Sequence, residues 1–312
     1  MLVKNEVIKW LLNGDPSLRW QTMHYLNVSS RSKILAERKK ISSQGWGAKL
    51  LSYQQHDGKW ADSLYSRKWI STTYTMLLLK NLGLIPGHKP VLKTCKILLD
   101  EGFYEDGGIN YFSQYKHSET CVTGIILSIL SYFHFEDPRI KSLVSHLLQQ
   151  QMEDGGWNCR SYKGATHSSF HTTINVLDGL KEYQRNYEPD NKRISKSISK
   201  GIEFLLVHKF FRSHRTGNIV DSNMTRFAFP TGWRYDVLRA LDFFQDFNAS
   251  KDNRINEAIE LVIKRKGEDG KWQLQNRHAG RYFFEMEIVG ESSRWNTLRA
   301  LRILKWWENK LD

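Results

Sequence analysis

The sequence predicts an all-α fold built from about six helix pairs at a period of roughly 50 residues, in one domain spanning residues 1–312. Three observations predict it. Short glycine-bearing segments recur along the chain. Each follows a stretch with apolar residues at helical spacing, and each is followed by a second apolar stretch with the same spacing.

The clearest copies of the recurring segment are QQHDGKW (54–60), QMEDGGW (151–157) and KGEDGKW (266–272), with weaker copies FYEDGGI (103–109) and SHRTGNI (213–219). Preceding segments such as DPRIKSLVSHLLQQQ (137–151) and RINEAIELVIKR (254–265) read as amphipathic helices that the acidic and glycine residues then stop. The second helices are SLRWQTMHYL, STTYTMLLLKNL, HSETCVTGIILSIL, SFHTTINVLDGLKEY, GWRYDVLRALDFF and SRWNTLRALRILKWW. Aligned on their apolar residues, they place Trp20, Thr73, Cys121, His171, Tyr235 and Trp295 at one recurring position near the helix start. The segment SRSKILAERKK (30–40) interrupts the period.

A closed double ring, an (α/α)6 toroid, buries such pairs on both sides, and an open solenoid satisfies the same periodicity. In a closed ring the inner helices aim their N-termini at one mouth, where helix dipoles favour anions. No linker interrupts the repeat.

Composition limits the function classes. The chain carries 46 basic and 33 acidic residues, a formal charge of +13, which suits an anionic partner; much of it reads as solvated helix faces such as Lys192, Arg193, Lys196 and Lys200. Three cysteines are too few for a disulfide framework. With no signal-peptide or transmembrane pattern, the expected location is the cytoplasm. Tryptophan is abundant, at 11 residues. P-loop, dinucleotide, HExxH and GxSxG motifs are absent.

Chemistry-bearing residues cluster where inner helices begin. Glu119, Cys121 and His171 supply carboxylate, thiolate and imidazole, a three-ligand set that leaves zinc an open position and could activate a thiol or water. The same residues also fit plain packing and helix capping. Two long loops, 221–236 and 278–295, are rich in aromatic and charged residues. They carry Arg226 and Arg281, which could grip a phosphate or carboxylate or pair with neighbouring acids, together with Trp233, Asp236 and Glu285. Glu285 and Glu287 should point to opposite faces if FFEMEIV is extended. Tyr235 and Trp295 are candidates to meet an apolar ligand, and Tyr235, with Asp236 and Glu285, is also a candidate catalytic residue.

The glycine–tryptophan segments resemble the QW repeats of squalene–hopene cyclases and other class II terpene cyclases. Their α/α toroid is shared with protein prenyltransferase β subunits, and the resemblance covers essentially the whole chain, which also looks like bacterial single-domain squalene cyclase-like or prenyltransferase-like proteins. The cyclase resemblance places Glu119, Thr120, Cys121 and Val122 where the family has an Asp-x-Asp-Asp acid. A thiol is too poor an acid for alkene protonation, so a cyclase reading needs Asp236 or Glu285 instead. The prenyltransferase resemblance matches Asp-x-Cys and His zinc ligands with Glu119, Cys121 and His171, and a diphosphate-binding lysine with Lys116. Glutamate replaces aspartate, and Ser113 stands where that family has arginine.

The resemblance implies a transferase or cyclase-like enzyme acting on an isoprenoid-type or other apolar substrate with an anionic head, zinc-assisted, at the mouth of the inner ring. Lys116, Arg226 and Arg281 would hold the head, and Trp233, Tyr235 and Trp295 the tail. A metal-free cyclase and a non-catalytic toroid binding an anionic partner are the other readings. Nucleic acid is disfavoured because the aromatic and polar residues gather at inner-helix starts. Protein prenylation would require a partner subunit that nothing in the sequence specifies.

Overall fold

The computed structural model describes residues 4–309. Thirteen α-helices run in order among them: α1 (Asn5–Leu12), α2 (Pro16–Tyr25), α3 (Arg31–Lys39), α4 (Gly45–Ser52), α5 (Thr72–Leu82), α6 (Lys89–Asp100), α7 (Thr120–Tyr132), α8 (Arg139–Gln149), α9 (Phe170–Asn186), α10 (Lys192–Val207), α11 (Val237–Asp246), α12 (Asn256–Lys264) and α13 (Arg294–Asn309). Two short strands, β1 (Trp272–Gln273) and β2 (Ser292–Ser293), pair antiparallel. No helix among the described residues is long and apolar enough to cross a membrane.

Helices α2, α5, α7, α9, α11 and α13 form an inner ring, and their own contacts close it. Trp20 Nε1 and Gln21 Nε2 of α2 donate to the carbonyls of Leu82 (2.9 Å) and Asn81 (3.2 Å) of α5. Helix α5 packs on α7, and α7 on α9. Arg239 of α11 reaches Asn175 and Asp178 of α9. Arg299 and Arg302 of α13 meet Asp242 of α11. Lys305 of α13 donates to the Tyr25 carbonyl of α2 at 3.2 Å. The fold is therefore a closed toroid, not an open solenoid.

The outer layer comes from α1, α4, α6, α8, α10 and α12. Their faces explain their place: Ile194, Ser197, Ile198 and Gly201 of α10 are buried while Lys192, Arg193, Lys196 and Lys200 are exposed. The irregular segment at 30–40 is the additional helix α3, which packs against α2.

The recurring segment is a structural clamp. Glycines 58, 107, 155, 217 and 270 all have φ between 73° and 97°, the left-handed turn that a side chain at Cβ would penalise. The fully buried indoles of Trp60, Trp157 and Trp272 donate to the carbonyls of Leu50, Leu147 and Val262, the end of the preceding outer helix. Their backbone N–H groups donate to Thr72, Thr173 and Thr297 of the next inner helix, each at 3.0 Å; Ile109 does the same to Thr123. These four turns thus bury a large apolar group and satisfy the polar atoms that burial would strand, whereas Ile219 of the fifth copy is exposed.

These threonines fix the register and correct two sequence alignments. Two residues before them stand Ile70, Cys121, His171 and Trp295, so Thr73 lies a helical turn too far along. Tyr235 precedes the N-cap of α11, Asp236, and is not equivalent to Cys121 or His171.

The ring is uneven. Helices α7 and α9 approach across Gly124 and Gly179; a Cβ at Gly179 would lie 2.5 Å from the Gly124 carbonyl oxygen. Only glycine allows this backbone-to-backbone contact.

Candidate functional site

At the N-terminal end of the inner ring the two long loops fold over the helix starts. The peptide of Arg281 exchanges hydrogen bonds with Lys68 and Trp69, its N–H donating to Lys68 and its carbonyl accepting from Trp69. Asn296 Nδ2 holds the Phe227 carbonyl at 3.3 Å. Most sequence-derived site residues lie here, and their polar atoms are largely committed to the fold.

Asp236 is buried and caps α11, accepting from the N–H groups of Arg239 (2.7 Å) and Ala228 (3.1 Å). Burial pushes its carboxyl up, against Arg299 and those two N–H groups. Tyr235 is also buried, and its hydroxyl donates to the Phe210 carbonyl at 2.6 Å. Both side chains, the expected catalytic pair, hold the start of α11 and the Phe210 carbonyl in this way. Glu285 is exposed and ion-paired with Arg277, so it is not a cavity acid. Glu287, on the other face, accepts from Ser293 and from the Trp295 N–H at the start of α13.

The expected head-group cluster is not assembled either. Lys116 is exposed on the loop before α7. Arg226 donates to the Gln275 carbonyl, and Arg281 contributes its backbone while its side chain is exposed. Trp233 packs edge-on against His171 at 5.0 Å, with Lys68 over its ring at 5.3 Å.

The donors implied for zinc do not fit it. His171 Nδ1 accepts the Tyr235 N–H at 2.9 Å, which places the ring proton on Nε2 and leaves neither nitrogen free to ligate. Burial first, then Arg234 and Arg239, lower its pKa to about 4. His278 is lowered to about 4 in the same way. Glu119 is half-buried, and burial raises its carboxyl despite Lys68. Cys121 lies beside Cys159: its N–H donates to Cys159 Sγ at 3.1 Å. The neighbouring Cys159 thiol and burial raise Cys121, while Cys121 lowers Cys159. Among the described residues no group of three His, Cys, Asp or Glu side chains could hold a metal ion.

The large cavity, about 1000 Å³, lies towards the other end. Its walls come from the middle and C-terminal turns of inner helices: Leu77, Lys80 and Asn81 of α5, Tyr132 of α7, Asp178 to Arg185 of α9, Arg239 to Asp246 of α11, and Arg299 and Arg302 of α13. Residues of α2 and α3 complete the rim, and Phe229, Thr231 and Trp295 form the inner floor. Phe229 and Trp295 stack with ring centroids 4.3 Å apart. Of the expected tail-binding residues, Trp295 is the one that lines the cavity.

The walls are strongly charged, with eight lysines and arginines against four acids. Lys181 pairs with Asp246 at 2.6 Å and Asp178 at 3.6 Å; Asp178 also meets Arg239 at 3.0 Å, and Asp246 meets Arg185 at 3.2 Å. Lys80 pairs with Glu182 at 3.4 Å. Burial pushes Asp178 and Asp246 up, but Lys181 with Arg239 and Arg185 outweighs it and holds both carboxyls below the usual range. They therefore stay ionised. Arg299, 5% exposed, gives Nε to Asp242 at 3.3 Å, and among the described residues its two terminal nitrogens make no hydrogen bond.

Sequence reasoning missed this network, although a signal existed. Asp178, Lys181, Glu182 and Arg185 recur at one-turn spacing on a helix otherwise buried all round, as do Arg239, Asp242 and Asp246. A charged stripe on an inner helix marks a cavity wall.

No family model matches the chain, and no curated protein matches it. Among solved structures it is similar to the type II terpene cyclase MstE from Scytonema in complex with merosterolic acid A. That similarity covers 88% of this chain and 97% of the other, with 11% identity and a TM-score of 0.37. The closed ring described above rests on this chain's own contacts.

Proposed function

We propose that the inner-ring cavity binds a small amphiphilic anion, with an isoprenoid-like or other apolar body on the aromatic floor and an anionic head against the arginine and lysine groups. The observation that carries this reading is the cationic excess of the lining, eight basic residues to four acids. A buried guanidinium whose terminal nitrogens find no hydrogen-bond acceptor among the described residues, as in Arg299, stabilises a bound carboxylate or phosphate through charge-assisted hydrogen bonds. Phe229 and Trp295 offer ring faces to the apolar part.

The proposed activity is group transfer or cyclisation in which the anionic group departs into the basic cluster while the ring faces meet the developing cation. It uses no zinc, and it moves the site from the N-terminal mouth to the cavity at the other end.

Calorimetric titration with farnesyl diphosphate, farnesol and inorganic pyrophosphate tests the reading. Farnesyl diphosphate should bind at least about tenfold more tightly than either fragment, and Arg299→Met should remove most of that advantage. Asp242 keeps Arg302 in that variant, so the ring stays intact. Equal affinity for farnesol and its diphosphate, or no effect of the substitution, would overturn the reading.

A further inference from the structure

We infer that Cys121 and Cys159 form a hydroperoxide-reactive dithiol that closes to an intramolecular disulfide. The inference rests on geometry at the N-terminal end and is independent of the cavity. Two donors converge on Cys159 Sγ: the Cys121 N–H at 3.1 Å and the Thr172 hydroxyl at 3.5 Å. The N–H belongs to the first turn of α7, a thirteen-residue helix whose positive dipole end also favours a thiolate. The second thiol belongs to the same residue whose N–H meets Cys159 Sγ, which places it beside the first, as a resolving cysteine must be. Both residues are half-buried, whereas Cys95 is wholly buried and serves as an internal reference.

The chemistry balances with a hydroperoxide as oxidant. The Cys159 thiolate attacks the O–O bond, an S–O bond forms, and the departing hydroxide or alkoxide takes up a proton. The Cys121 sulfur then attacks the sulfenic sulfur; the S–S bond forms, the S–O bond breaks and water leaves. Two thiols are oxidised by two electrons and the peroxide is reduced. The new bond would tie the segment following the Trp157 turn to the first turn of α7.

The test is peptide mapping of the full chain after hydrogen peroxide and thiol blocking in denaturant. The expected product joins the peptides containing Cys121 and Cys159, two hydrogens lighter than their sum, and dithiothreitol reverses it; Cys95 carries the blocking group. In Cys121→Ser, dimedone should label Cys159, and in Cys159→Ser labelling of Cys121 should be at least tenfold slower. Full alkylation of both thiols after peroxide, or a link between two chains, would refute the dithiol. Wild-type labelling of Cys121 in Cys159→Ser would reject Cys159 as the attacking thiol. The wild-type map decides the pairing even where a serine variant fails to fold.

Discussion

The two ends of the inner ring solve opposite problems. At the N-terminal end, helix dipoles favour an anion, yet loops 221–236 and 278–295 cover it and engage Asp236, Tyr235, Glu287 and the Arg281 peptide. At the C-terminal end, dipoles favour cations, and Lys80 and Arg185 sit in the last turns of α5 and α9. The supply of basic groups there exceeds what the four acids neutralise, and that end holds the cavity. A helix terminus alone does not make a site; the side chains and the space in front of it decide.

If the N-terminal end is chiefly a clamp, removing a clamp should cost the most. Trp157→Ala deletes a fully buried indole and its bond to Leu147. Chemical denaturation should show a loss of about 3–5 kcal/mol. A loss under about 1 kcal/mol would remove the clamp role.

A cut in the cavity's charge network should cost somewhat less. Lys181→Met takes the shared cation from Asp178 and Asp246, though Arg239 and Arg185 remain beside them. The expected cost is about 3 kcal/mol, at the lower end for breaking a buried pair. An unchanged or stabilised variant would show that the network serves the ligand and not the fold.

The ends should also separate by pH. His171 and His278 are lowered from 6.5 to about 4. Their neutral forms belong to the folded state, so their contribution is complete above pH 6.5 and is lost as pH falls towards 4. Asp178 and Asp246 are held below the ordinary 3.8, so their contribution is present above that value and is lost only as pH falls below it. Urea midpoints measured from pH 7 to 3 should therefore fall in two stages, and His171→Gln should shrink the first and leave the second. A single stage near pH 3.8 would contradict the assignment.

The smallest effect belongs to the surface. Glu285→Gln breaks the exposed pair with Arg277 and should cost less than about 1 kcal/mol, with ligand affinity unchanged. A lost ligand response would return Glu285 to the site.

What the sequence made legible follows from range. The clamps are local, seven residues with glycine and tryptophan at fixed offsets, so Trp60, Trp157 and Trp272 could be located and the helix pairs counted. Closure was implied by resemblance and needed contacts such as Lys305 to Tyr25, which link distant parts of the chain. The site was harder because titratable residues at helix starts attract functional readings, yet those positions are also where backbone N–H groups need acceptors. Asp236 and Glu287 meet that need. Cys159 could be matched with Cys121 only once the turn after Trp157 had folded back against α7.

The glycine contact between α7 and α9 has a mechanical consequence. With backbones touching at Gly124 and Gly179, these two helices behave as one stiff plate, and α7 offers the cavity only Tyr132. The opposite arc is held differently: α2, α11 and α13 meet through long side chains such as Arg299, Arg302 and Lys305. Helix α3 bridges the two arcs, its Arg31, Ile34 and Leu35 lining the cavity rim while Arg38 meets Tyr132 of α7.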